Sequence, residues 1–220
     1  MPLDAKREVT ELTKQLIRFR SVKENPAELK KCMDFCANYL KKYGKVKKFE
    51  FKGKPSLVAT YGKTNPDIFL VGHLDVVEAP DKQFEPKVKG KKLLGRGAID
   101  MKGGDAIAMV LFKELAKRKP SFGVMLSTDE EIGGVNGVGE LVKKYDSKFA
   151  IAIEPSLTRD LSIVVKHKGI LWLKLKAKGK AAHGSMPWLG INAIDKLIIA
   201  YEQIRDKFHE IVPNTWNPTI

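Results

Sequence analysis

The chain has 220 residues, 43% of them hydrophobic, enough for one large domain or nearly two ordinary ones around a buried core. Its net charge of +14 raises the question of nucleic acid, but 33 of the 40 basic residues are Lys and only 7 Arg, and scattered Lys solvates a surface where Arg would read phosphates and bases, so no nucleic-acid partner is expected. No apolar run reaches the ~20 residues of a membrane span, and "MPLDAKREVTEL" carries no signal-peptide core, so a cytoplasmic protein without a membrane partner is expected.

In chain order, apolar periodicity predicts helices over roughly 5–19 and 26–43, the second opening at Pro26, a favoured first-turn residue. Cys32 and Cys36 fall on the stripe of Leu29, Met33 and Leu40 and are read as small core residues. Short β-like runs follow at 45–51, 56–61 and 67–73, then a Lys- and Gly-rich hairpin over 86–97. A helix is predicted over 103–118, a buried strand in "SFGVMLSTDEE" (121–131), a helix over 136–145 and another buried strand in "FAIAIEPS" (149–156). Strands alternating with helices, several too apolar for a wet face, predict an α/β fold whose mostly parallel sheet is flanked by helices. Beyond 156, "LSIVVKHKG" and "ILWLKLKAKGK" alternate like half-wet strands, and a helix is expected over about 190–210. The style change places a domain boundary between 167 and 168.

The unusual polar residues sit where strands end. "GHLDVV" carries His73 and Asp75, "GRGAIDMKGG" Asp100, "STDEEIGG" Asp129, Glu130 and Glu131, and "AIEPS" Glu154. Each alone reads as a core histidine or a solvated turn. Together, at one rim of a parallel sheet, they would repel one another until some took up protons. A divalent cation removes that conflict. Imidazole plus carboxylates suits Zn²⁺, Co²⁺ or Mn²⁺, and this many carboxylates exceed the needs of one ion, which favours two metals about 3.5–4 Å apart. On a strand, residues two apart face the same side, so Asp75 is expected to hold the ring nitrogen of His73 that faces away from the metal. Other catalytic patterns fail: "GRGAID" puts Asp100 where a dinucleotide fingerprint needs glycine, and there is no P-loop and no G-x-S-x-G.

These stretches, with "GKAAHGSMPWLGINAI", resemble the M20 family of metallopeptidases and deacylases, in the family's order and over most of the chain. The resemblance implies a zinc-exopeptidase-like catalytic domain over 1–167 and, over 168–220, the first part of a ferredoxin-like lid that also forms a homodimer. It implies that His73 and Glu154 hold one metal, Asp100 bridges, Glu131 holds the second, Glu130 is the general base and Asp75 orients the imidazole. It also implies a cis Asp100–Met101 peptide. His183, on its own an ordinary loop histidine, becomes the residue that stabilises the oxyanion. His167 and His209 receive no role.

Family members continue past the point where "NTWNPTI" stops, into the rest of the lid and a last metal-binding His, so this chain by itself is expected to hold at most one metal tightly and to hydrolyse poorly. The implied activity is hydrolysis of an amide in small N-acyl amino acids, with di- or carboxypeptidase action as the alternative. A non-catalytic basic binding module is the alternative of a different class.

Overall fold

A computed structural model of the chain describes residues 3–155 and 173–205. Two compact units, Met1–Asp160 and Leu161–Ile220, divide it. The boundary expected near 167, the strand-like run 161–169, His167 and His209 lie outside the described residues.

Two helices open the first unit, α1 (Leu3–Arg18) and α2 (Pro26–Leu40). Ala5, Leu12 and Leu16 form the buried stripe of α1; Leu29, Cys32, Met33, Cys36 and Leu40 form that of α2, so both cysteines are core residues, as the spacing predicts. Asn25 caps α2 by accepting the Glu28 N–H at 3.3 Å, and Pro26 occupies the first turn, where a missing N–H costs nothing. Strands β1 (Lys45–Phe51) and β2 (Lys54–Thr60) pair antiparallel across Lys52 and Gly53, both at positive φ, the two-residue turn that matches strand twist.

The remaining elements are β3 (Ile68–His73), a small hairpin of β4 (Lys87–Lys89) and β5 (Lys92–Leu94), α3 (Lys102–Leu115), β6 (Phe122–Ser127), α4 (Val138–Leu141) and β7 (Phe149–Ala152). The main sheet runs β1-β2-β6-β3-β7. Strands β6, β3 and β7 are parallel; β1 and β2 join antiparallel at one edge. The expected parallel sheet is therefore the part that carries the strand ends of interest. One face packs under α1, α2 and α3 around Leu57, Leu70, Val124, Leu126 and Phe112; the other holds Val58, Phe69, Met125 and Leu141. Each such side chain fully removed from water stabilises the fold by about 1.5–3 kcal/mol.

Two expectations need correction. The helix predicted over 136–145 is the one turn Val138–Leu141, a segment weakened by Gly137 at its cap and Gly139 inside it. Strand β7, expected to be buried, leaves Phe149 at 63% and Ile151 at 50% exposure, since among the described strands it pairs with β3 alone and stands at the sheet edge.

In the second unit, Lys180 and Ile191 pair as an antiparallel bridge, a 3-10 turn spans Pro187–Leu189, and α5 (Ala193–Arg205) follows, with Asn192 Oδ1 accepting the Ile194 N–H at 2.9 Å. The alternating residues 173–179 form no strand there: a strand exists only where a neighbour satisfies its N–H and C=O groups, and the Lys180–Ile191 bridge is the one pairing among the described residues of this unit. No described helix is long and apolar enough to cross a membrane.

Candidate metal centre

Strand β3 is apolar on both faces, which places it inside the sheet, and its register with β6 brings His73 level with Ser127. Leu74 N–H continues the pairing onto Ser127 O at 2.9 Å. The carboxyl ends of β6, β3 and β7 thus share one rim, the place where ligands collect in open parallel sheets. His73 closes β3, Asp129–Glu131 follow β6 directly, and Glu154 lies two residues past β7. Asp100 arrives from the loop before α3, where Gly97 turns the chain at φ +77°; a Cβ there would meet Val76 and Lys102 at 2.8 and 2.9 Å. The Asp100–Met101 peptide is cis, as the resemblance implies.

The imidazole of His73 is 2% exposed and its Nε2 faces carboxylate oxygens on three sides: Asp100 at 3.2 Å, Glu154 at 3.4 Å and Glu130 at 3.7 Å. One ligand atom each from His73, Asp100 and Glu154 lies within 4.8 Å of the others, so the three can converge on one cation. Glu131 falls outside that trio but belongs to the same field: burial first, then the charges of Asp100, Asp75 and Glu130, raise its pKa. Glu154 is raised too, by burial and by Asp100, Glu130 and Glu131, against the opposing pull of His73. Burial lowers the pKa of the His73 ring, but Asp75, Asp105 and Glu154 outweigh it and push it up to about 10. A proton on the ring does for these carboxylates what a divalent cation does better, and the imidazole-plus-carboxylate set is chemically right for zinc, cobalt or manganese.

Asp75 is also 2% exposed, and it meets the Nδ1 side of the imidazole with both its main chain and its side chain. Its main-chain oxygen lies 3.0 Å from His73 Nδ1, whereas its carboxylate stands 3.5 Å away, at the outer limit of a hydrogen bond. The carboxylate also accepts the Glu130 N–H at 3.2 Å and the Glu131 N–H at 3.0 Å.

Beneath the rim lies a charged pair that the sequence reading passed over. Lys102 and Asp105 are fully buried, on the stripe of α3 continued by Met109 and Phe112. Lys102 Nζ donates to Phe19 O at 2.9 Å, while neither Asp105 carboxylate oxygen has a hydrogen-bond partner among the described residues. Burial raises the Asp105 pKa well above its ordinary value and lowers that of Lys102. Asp105 fits only because Gly72 has no side chain: a Cβ there would collide with the Asp105 Oδ1. Two charges at i and i+3 on an otherwise apolar stripe were the signal in the sequence.

His183, in the second unit, occupies an exposed turn closed by the Met186 N–H on the His183 main-chain oxygen at 2.8 Å. Its Nδ1 accepts the Ser185 N–H at 3.2 Å and lies 2.8 Å from the Ser185 Oγ.

Sequence and fold comparisons converge on one family. A protein named succinyl-diaminopimelate desuccinylase from Rickettsia canadensis is 30% identical over 222 residues, covering 90% of this chain and 57% of that protein. A probable succinyl-diaminopimelate desuccinylase from Staphylococcus aureus is 34% identical over 170 residues, covering 72% of this chain and 42% of the relative. An M20 family metallo-carboxypeptidase from Sulfolobus solfataricus shares the fold at a TM-score of 0.64 and 18% identity, over 94% of this chain and 54% of that one. The chain thus spans about half the length of the curated relatives it matches. Residues 69–214 fit the profile of the peptidase family M20/M25/M40, from the strand that delivers His73 through the turn of His183, and with two thirds of its length inside that match the chain belongs to this family.

Proposed function

We propose that this chain carries the site of a metal-dependent hydrolase that cleaves the amide of small N-acyl amino acids. The observation that carries the reading is the ring of Asp100, Glu154 and Glu130 around His73 Nε2, at 3.2, 3.4 and 3.7 Å, on the rim of a family M20 sheet. His73 and Glu154 would hold one Zn²⁺, Asp100 would bridge, and Glu131 would hold a second; Co²⁺ and Mn²⁺ suit the same donors. Bound there, such ions polarise the amide carbonyl and lower the pKa of water towards ~7. Glu130, half exposed at the mouth of the site, takes the proton of the attacking water and hands it to the leaving nitrogen. Asp75 orients the imidazole beside it, and the Nε2–H of His183 donates to the oxyanion.

The domain division at 167/168, the homodimer through the lid and a cytoplasmic location belong to the same reading. The desuccinylase names of the relatives favour an acyl amino acid over a dipeptide, and a +14 chain steers anionic acyl amino acids towards the cleft. The test is a screen of N-acyl amino acids and dipeptides with added Zn²⁺ or Co²⁺. Chelator-sensitive release of the amino acid is expected, faster for acyl amino acids. Failure to bind metal, together with nucleic-acid binding that weakens steeply with salt, would put the basic binding module in its place.

A further inference from the structure

We infer that the segment Phe19–Arg20–Ser21, directly after α1, is a positioning element of the metal centre that ties the chain leaving β3 to the loop carrying Asp100. Its residue types do not suit a cation, yet both of those stretches fasten to it. On the β3 side, Ser21 is fully buried; its Oγ donates to Leu74 O at 2.6 Å and its main-chain oxygen accepts the Val76 N–H at 3.0 Å. These two bonds bracket Asp75, whose main-chain oxygen and carboxylate face Nδ1 of His73. On the other side, the buried Lys102 donates from Nζ to Phe19 O at 2.9 Å. Only Met101, 1% exposed, separates Lys102 from Asp100, so the ammonium fixes the start of α3 and with it the end of the loop.

The tie is stiff because its bonds are sheltered and mutual. Carbonyls at the end of a helix have no partner inside it, and a cation suits them because the helix dipole is negative there. Lys102 needs that oxygen in turn, since a fully buried ammonium without a hydrogen bond is costly. Leu74 is gripped from both sides, by Ser21 Oγ at its oxygen and by Ser127 O at its N–H, 2.9 Å away. The segment also has its own footing. The Phe19 ring packs on Phe35 of α2 with 5.6 Å between centroids, and the next residue, Val22, joins Val76, Ala79 and Phe84 in a small buried cluster. Arg20 instead turns outward to Glu78 at 2.8 Å, and an exposed pair of that kind adds little. His73 and Asp100 thus hang from residues two apart in sequence, which sets the 3.2 Å between Nε2 and the Asp100 carboxylate. The consequence for cation binding rests on the proposed metal site; the tie itself does not.

Amide exchange in ¹⁵N-Val-labelled protein, with Co²⁺ affinity measured alongside, tests it. Ser21→Ala removes the bond to Leu74 O, and Lys102→Met removes the bond to Phe19 O. Each should lower Co²⁺ affinity about 10–100-fold, as loss of outer support for a ligand does. Each should also speed exchange of the Val76 amide about ten- to a hundredfold beyond any change at Val124, which sits in the middle of β6 and reports unfolding of the whole sheet. The control is Leu12→Ala, which hollows the core under α1 away from the tie. There Val76 and Val124 should change together, and Co²⁺ affinity by less than about twofold. Co²⁺ affinity unchanged in both tie variants, Val76 exchange that never exceeds the change at Val124, or a Leu12→Ala affinity loss as large as theirs overturns the inference. If neither tie variant folds, the wild type decides: protection at Val76 supports the tie, and exchange at the free-peptide rate overturns it. A wild type that binds no Co²⁺ counts against the hydrolase reading only; Val76 exchange in the variants then decides the tie.

Discussion

The site has two halves that differ in burial. His73 and Asp75 are each 2% exposed, seated between parallel strands with main-chain partners, whereas the side chains of Asp100, Glu130 and Glu154 are 54%, 51% and 44% exposed. The buried half cannot shift without disturbing the sheet, so it sets where the imidazole stands. The exposed half carries most of the negative charge and faces the solvent. One half fixes geometry and the other supplies charge. The carboxylates tolerate their crowding because they can be neutralised, by a proton on a ring whose pKa is about 10 or by a cation.

Four measurements break or sharpen that contrast. Removing the buried anchor should have the largest effect: His73→Ala should abolish turnover and weaken cation binding by more than the about 10–100-fold that outer-shell changes cost, read by metal analysis after dialysis. On the exposed side, Glu130→Gln should keep its metal yet lose about 10²–10⁴-fold in kcat; loss of metal instead would make Glu130 a ligand. The third effect couples the halves through protons. A ring that holds its proton up to about 10 must release it to bind a cation, so apparent Co²⁺ affinity should rise with pH between 6 and 8. One proton released corresponds to about tenfold per pH unit, and a flat profile would show that the free ring is already neutral. Smallest is a packing test beneath the rim. Gly72→Ala should cost about 1–3 kcal/mol in a urea titration by driving a methyl into Asp105, and part of that loss should return in the Gly72→Ala, Asp105→Ala double variant, since the two residues share one space.

Much of this arrangement was legible in residues 67–155. Runs such as "DIFLVGH" and "SFGVMLS" are apolar on both faces, a pattern that a parallel interior strand satisfies, so the strand ends, and with them His73, Glu130 and Glu154, could be placed on one rim from the pattern alone. Cys32 and Cys36 were readable as core for a similar reason: helical spacing put them on one stripe with Leu29 and Leu40. The exposed β7 was misread because an apolar strand looks the same whether a neighbour covers it or not. Lys102 and Asp105 escaped notice because charge suggests solvent until a stripe of buried neighbours is seen around it.

By itself, then, the sequence determined which residues gather at the rim and what chemistry their donors suit, because strand periodicity and residue type are local properties. The tertiary structure alone decided how they meet: Nε2 of His73 towards Asp100 and Glu154, and the Asp75 side chain on the Glu130 and Glu131 amides. Those contacts join residues 27 to 81 positions apart, and no local pattern encodes the angle at which a chain leaves its strand.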